Sequence, residues 1–401
     1  MKLSLCIAFS LLVEILCAQD RKKSAVEHFD AGELAYNAGK YDEALNEFNL
    51  CLSADAGYYE AYASRAATKE RLKDWPGAVT DYSIYIEKFP NQTEAVFSRG
   101  LARYQAGQYE AAADDFTEFL QMPTSGETQS IFYRQSVFGG GTDQIVSAQG
   151  QIRDYVLNYI GLAQYKIKHL EKAICYFDTA ITINPNEADY YAHRGLAKQD
   201  QGDLDGAEAD YRKAISINDD HVIARYNLGV LLKKKNDDGA AEEQLNEAIE
   251  RNPDLSYPYL ERAYYRLASG NLNGALEDYD KGISLNENDI DSWVNRGLVK
   301  EKLNNLPGAY NDFTRAIKIK NDYEKAWFCR GNVLTKMNKL KEAEEDYSIA
   351  ILYYPEYAQA FTNRAIVRHR LGRLREACTD IEKARTLGAT GIDNIRSKVC
   401  K

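Results

Sequence analysis

The 401-residue sequence has little proline, methionine, tryptophan or histidine, with 8, 3, 3 and 5 of each. So few prolines, in a chain that is 45% hydrophobic, exclude extended proline-rich linkers and a disordered composition. There is no basic excess either: the net charge is −10 and the isoelectric point lies near 5.3. Affinity for nucleic acid comes mainly from lysine and arginine meeting phosphates, so nucleic acid is set aside as a partner. Past the N-terminus no apolar run is long enough to cross a bilayer. Catalytic signatures are missing as well, with no H-E-x-x-H and no G-x-S-x-G. The single Gly-Lys step, Gly39-Lys40, lacks the rest of a phosphate-binding loop. His28, His169, His193, His221 and His369 have no metal-ligand spacing. The reading is a non-enzymatic protein without catalytic, cofactor-binding or metal-binding residues.

The N-terminus stands apart. "MKLSLCIAFSLLVEILCAQD" has the basic Lys2, an apolar run from Leu3 to Cys17 and then polar residues. This layout predicts a signal peptide over residues 1–18, cleaved after Ala18, and hence a secreted or periplasmic protein with no integral membrane segment afterwards. Leu16 stands where lipoprotein signals place a small residue, which disfavours a lipid anchor on Cys17. Cleavage would leave Cys51, Cys175, Cys329, Cys378 and Cys400. An odd count without C-x-x-C spacing argues against a disulfide framework, although one bridge, such as Cys378 to Cys400, remains open. Cys51 and Cys378 are read as small buried packing residues.

What the chain has in abundance is periodicity. Ala44, Ala78 and Ala112 lie 34 residues apart, as do Ala173, Ala207, Ala241, Ala275, Ala309, Ala343 and Ala377. These define ten repeats, with 27 extra residues between the third and fourth. With this alanine at position 20, position 8 is always glycine or alanine, and position 24 is always large and apolar or aromatic. Position 15 is glycine or asparagine in eight repeats, and Pro90, Pro185, Pro253 and Pro355 fall at position 32. Positions 4, 8 and 11, then 20, 24 and 27, keep helical spacing, so each repeat reads as two antiparallel helices. Small residues at 8 and 20 let the backbones approach, and the ring at 24 fills the space beside them.

Positions 7 and 23 carry a charged pair in seven repeats, among them Arg262 with Asp278, Arg296 with Asp312, Arg330 with Asp346 and Arg364 with Asp380. The two residues are present or absent together. Pairing with a neighbouring repeat's position 7 or 23 would leave mismatches such as Arg194 against Tyr176. Same-repeat pairing fits every case, which predicts a structural ion pair clipping each hairpin.

Glycine or alanine at 8, alanine at 20, an aromatic at 24 and proline at 32, on a 34-residue period, resemble the tetratricopeptide repeat. The resemblance covers residues 25–387 apart from the insertion. It implies an all-α, right-handed superhelical solenoid of ten hairpins: repeats 1–3 over 25–120, an insertion over 121–153, repeats 4–10 over 154–387 and a C-terminal cap over 388–401. It also implies protein or peptide partners held in a groove lined by positions 2, 5, 9, 12 and 13 of the first helices. Candidate lining residues are Phe29, Tyr36, Phe97, Tyr104, Tyr155, Tyr165, Tyr226, Tyr257, Tyr264, Phe328 and Asn332. Chaperone-binding members hold a terminal carboxylate with lysine at 5, asparagine at 9 and asparagine at 6 of the next repeat. Asn332 and Asn363 match, but Phe328 stands where the lysine is needed, so that clamp is incomplete. In the insertion, "SIFYRQSVF" and "QIVSA" flank a glycine-rich turn and predict a β-hairpin offering Phe132, Tyr133 and Phe138 as contacts, or else a plain connecting loop. The functional expectation is a partner-binding scaffold in envelope complex assembly, or alternatively a holdase-like chaperone for unfolded chains.

Overall fold

The computed structural model describes residues 23–122, 130–134, 144–148 and 153–400. The signal-peptide expectation therefore lies outside the described residues. Ten helical hairpins and one short terminal helix account for the described helices, and the chain divides into two compact units. The first unit, ending at Ile217, stacks five hairpins. They pair Ala25–Asn37 with Tyr41–Ala54, Tyr59–Arg71 with Trp75–Lys88, Thr93–Gln105 with Tyr109–Gln121, Arg153–Lys166 with Leu170–Ile183, and Ala188–Gln201 with Leu204–Ile217. The second unit holds the five others. They pair Val222–Lys234 with Asp238–Arg251, Ser256–Ala268 with Leu272–Leu285, Ile290–Lys302 with Leu306–Ile319, Glu324–Lys336 with Leu340–Tyr353, and Ala358–Arg370 with Leu374–Thr386. The helix Asp393–Val399 follows.

Each hairpin closes because its corner needs one left-handed residue. All ten residues at position 15 have positive φ. Eight are glycine or asparagine, which tolerate that conformation. The other two, Lys73 (φ 61°) and Lys168 (φ 63°), adopt it at a steric cost. The next residue often caps the second helix: Asp74, Asp203, Asp237, Asn271 and Asn305 each accept a hydrogen bond from the backbone N–H three residues on.

Between the helices, position 8 meets position 24. A Cβ on Gly32, Gly161 or Gly297 would sit 2.6 Å from the ring of Phe48, Phe177 or Phe313. That distance is a clash, so these backbones approach as closely as glycine alone permits. The insertion does not interrupt the stacking. Phe97, Tyr104 and Phe116 of the third hairpin share one core with Tyr159, Ile160 and Phe177 of the fourth. Within the insertion, β1 (Ser130–Arg134) pairs antiparallel with β2 (Gln144–Ala148), setting Phe132 opposite Val146 and Tyr133 opposite Ile145. Phe138 lies outside the described residues.

The charged pairs form a three-way tie. In all seven hairpins the arginine Nε and Nη2 donate to the two oxygens of its own aspartate, at 2.8–3.0 and 2.5–2.8 Å. In six of them Nη1 also donates to position 25 of the preceding repeat, as in Arg65 to Asn49 and Arg296 to Asp280. The clip thus joins neighbours as well as closing one hairpin. The arginine also lies over the position-4 ring, with Arg296 4.6 Å from Trp293 and Arg330 4.8 Å from Trp327.

The aspartates are almost wholly buried and accept a second cation from position 11. Lys69, Arg103, Lys198, Arg266, Lys300 and Arg368 supply it at 2.5–3.0 Å. Asp346 is the exception, because Leu334 occupies that position. Burial accordingly pushes the Asp346 carboxyl above its ordinary value, outweighing the bond from Arg330. The three hairpins without the pair substitute for it differently. His28 meets Glu47 at 2.7 Å in the first, Ile160 packs in the fourth, and buried Arg225 in the sixth binds Asp219 and Glu247.

Cys378 differs from its expected role as a plain packing residue. It is bonded to Cys400, which ties the last hairpin to the terminal segment. Ile392 and Val399 there cover Phe361, Ile381 and Ala384. Cys51 and Cys329 are buried free thiols, and Cys175 is exposed.

Two outcomes follow. Lys73→Gly should raise stability by about 1 kcal/mol in urea unfolding, since glycine takes the left-handed corner without the Cβ clash, while Lys73→Ala should bring no gain. Asp312→Ala strands two cations, Arg296 and Lys300, whereas Asp346→Ala strands one. Both should cost on the order of 3–5 kcal/mol, Asp312→Ala the more. Replacing Arg330 and Asp346 together by apolar residues should cost less than Asp346→Ala alone, and thermal unfolding of the set orders them.

Candidate functional site

The first helices of consecutive hairpins line one continuous face within each unit. Positions 5, 9 and 12 sit at the margin of the buried stripe, so whether a side chain there packs or projects depends on its neighbours. The aromatic candidates divide accordingly.

Phe97 is completely buried against Phe116 and Phe119, with ring centroids 5.6 and 5.3 Å away. Tyr104 is nearly so, edge-on to Tyr109 and Tyr159. Both belong to the core and not to the groove, because the third and fourth hairpins pack directly on each other. Burial raises the Tyr104 hydroxyl pKa far above its usual value, and its oxygen has no partner. Phe29 and Phe328 are half-buried seam residues. Each reaches the tyrosine that opens the next repeat, Tyr58 at 4.9 Å and Tyr357 at 4.7 Å. Tyr226 and Tyr257 meet edge-on at 4.7 Å.

The remaining candidates stay nearer the surface. Tyr264 is 54% exposed. Tyr155 is half-buried beside Tyr159, and the Tyr165 hydroxyl donates to Asp200 at 3.0 Å. Asn332 has both an internal donor and a neighbour: its Oδ1 accepts from the Tyr347 hydroxyl and from Asn363 Nδ2, each at 2.8 Å. The two asparagines that match the carboxylate clamp therefore bond each other, and no lysine completes the set.

A concavity on this face lies across the first three hairpins, with a volume of about 350 Å³. Its walls carry Tyr36, Tyr82 and Tyr85, with Ser64 and Ser98 at position 6 and the carboxylates Glu33 and Glu94. Only Tyr36 among these was expected from the sequence. Tyr82 and Tyr85 come from a second helix, which the first-helix rule passes over. Ser64 and Ser98 carry no periodic signal, whereas the charges at Glu33 and Glu94 were visible at groove positions.

Beside the cleft, the Tyr82 hydroxyl donates to Glu70 Oε2 at 3.2 Å. Burial pushes the Glu70 carboxyl up to about 8, against the lowering effects of Tyr82 and Arg71. Position 24 reaches position 12 in the same way elsewhere, as Tyr211 to Gln199 and Tyr347 to Thr335. Among the described residues no group of three or more His, Cys, Asp or Glu side chains could hold a metal ion, and no helix is long and apolar enough to cross a membrane.

Comparison with known proteins bears on the repeats themselves. The tetratricopeptide repeat profile matches residues 65–126, 194–256 and 330–391. A stretch of 159 residues is 24% identical to human DnaJ homolog subfamily C member 3, covering 39% of this chain and 30% of that protein. The chain thus spans less than a third of that curated relative. Among solved structures it is similar to the C-terminal part of a TPR repeat-containing protein from Cytophaga hutchinsonii, at 18% identity and TM-score 0.50, over 59% of this chain and 96% of that one. It is also similar to YrrB, described as a TPR protein with an unusual peptide-binding site, at 21% identity and TM-score 0.43, over 47% and 97%. At these identities the likeness concerns the fold, and the stretches that the profile matches are tetratricopeptide repeats.

The Glu70 environment has a pH signature. A carboxyl that ionises later in the folded than in the unfolded chain favours folding while protonated, and that advantage is lost as pH rises through the folded value. Glu70→Gln should therefore match the parent near pH 4, gain on it up to about pH 8 and hold a constant lead above. Denaturant unfolding at a series of pH values measures the gap.

Proposed function

We propose that this chain is a non-enzymatic scaffold that holds protein or peptide partners on the face lined by its first helices. Tetratricopeptide repeats generally serve protein–protein interaction and are typically non-enzymatic. The observation that carries the reading is the formed cleft across hairpins one to three, whose tyrosine rings and hydroxyls offer apolar area with polar tips. The setting proposed is an exported one, in the assembly of an envelope complex. The N-terminal pattern supports it, and so does the Cys378–Cys400 bond, which persists in oxidising compartments and is rare elsewhere.

The test is site-specific photocrosslinking in cells. A benzoylphenylalanine in place of Tyr264, on the first-helix face, should capture one or two defined partners. The same group in place of Lys281, exposed on a second helix, should capture none. Capture of many unrelated unfolded chains from Tyr264 would replace the scaffold with the holdase reading, and equal capture from both positions would overturn the assignment of the face.

A further inference from the structure

The tenth hairpin is covered by an element that depends on one covalent bond. The helix Asp393–Val399 has 7 residues, where the first helix Glu324–Lys336 has 13. So short a helix does not hold its shape alone in water. Its apolar grip is Ile392 and Val399 against Phe361, Ile381 and Ala384. Its charged grip is Arg396 with Glu382, whose side chains are 43% and 39% exposed, and an exposed pair contributes little. The remaining tie is the Cys378–Cys400 bond. Both of its cysteines are half-buried and line a cleft of about 510 Å³, with Leu374, Arg375, Glu382 and Val399 around them. The sulfurs are thus within reach of a small thiol. Arg375 is exposed and has no carboxylate partner among the described residues, whereas Glu382 is engaged by Arg396. Arg375 also stands three residues before Cys378, on the same face of their helix. A guanidinium placed there favours the thiolate over the thiol.

We propose that Cys378–Cys400 is a redox latch, opened by a dithiol entering this cleft, and that opening releases the terminal segment while the hairpins stay folded. The latch goes beyond the scaffold reading and does not depend on it. A thiolate of the dithiol attacks Cys400 Sγ, the S–S bond breaks, and Cys378 leaves as a thiolate beside Arg375. The second thiol of the dithiol then displaces Cys400 from the mixed disulfide. The dithiol ends as a disulfide, and its two electrons and two protons reside on the two cysteines. Without the bond, two apolar side chains and one exposed ion pair oppose the entropy of a free segment, and the helix leaves its seat. The segment packs on the last hairpin, so its loss is local. Departure uncovers Phe361, Ile381 and Ala384, the last two at positions 24 and 27. In the eighth hairpin those positions, Phe313 and Ala316, share a core with Ala326, Cys329 and Val333 of the next first helix. The open latch therefore bares a face of the kind that other repeats keep covered. It is closed where the surroundings are oxidising and open where they are reducing.

The experiment uses the full chain carrying Cys175→Ser, which removes the exposed free thiol. Trypsin cleavage after Arg396 and Lys398 is followed by mass spectrometry. Dithiothreitol should speed that cleavage at least roughly tenfold and leave cleavage in the first nine hairpins unchanged, and oxidised glutathione should restore protection. Cys400→Ser should be cut at the fast rate without reductant, and Cys378→Ser likewise. Arg375→Gln should slow reduction of the bond, read by iodoacetamide trapping, at least roughly threefold, with Arg375→Lys close to the parent and the Tm of the oxidised chain unmoved by either. Protection that survives reduction would overturn the latch, because the helix would then hold itself. Faster cleavage throughout the chain would overturn it too, by making the bond a general staple. Reduction of Arg375→Gln at the parent rate would overturn the cleft as the place where the thiolate is stabilised.

Discussion

Every hairpin depends on one close approach, that of the position-8 backbone to the side chain at position 24. Where position 8 is glycine, the ring of Phe48, Phe116, Phe177 or Phe313 occupies the space a Cβ would need. A short interaxial distance follows, and with it the burial of the alanine at position 20 in all ten repeats. Because the helices are so close, little room is left between them for water. Polar groups near the contact must then find protein partners, and the charged positions answer that requirement.

The buried aspartate is costly in such a place unless several donors surround it. Most of these repeats supply two cations, so the carboxylate is saturated from both sides, and the arginine spends its remaining donor on the preceding repeat. A single residue at position 7 thereby couples closure of one hairpin to its stacking on the last. Nearest-neighbour coupling of this kind makes the stability of a repeat array a sum of local terms. Asp346 shows what happens when one donor is missing: Leu334 removes the second cation, and burial then outweighs the remaining arginine.

Much of this was legible in the sequence because ten copies align against one another. The period, the corner residues and the covariation of positions 7 and 23 all survive as patterns of identity. What escaped was of two kinds. The cation at position 11 and the polar residue at 25 are chemically conserved but vary between lysine and arginine, or among asparagine, aspartate, threonine and serine, so identity alone hides them. Lys73 and Lys168 escaped because their conformation is imposed by the hairpin against their own preference. The groove was legible only in outline. Phe97 and Tyr104 occupy groove positions yet are core, since the fourth hairpin packs onto the third with its own tyrosines, a contact between repeats that no single-repeat pattern encodes. Tyr82 and Tyr85 escaped for the opposite reason: they lie on a second helix and still reach the cleft.

After the tenth hairpin the 34-residue periodicity stops, and Phe361 and Ile381 are covered by an element of another kind. The covering element is only the seven-residue helix Asp393–Val399, far too short to be stable in isolation. Its apolar contribution comes mainly from Ile392 and Val399. The bond from Cys378 to Cys400 compensates, since it spans 22 residues and restricts the unfolded chain by about 3 kcal/mol on a loop-entropy estimate. The covalent tie therefore stands where the next hairpin would otherwise stand, and it links the integrity of the terminal hairpin to an oxidising environment.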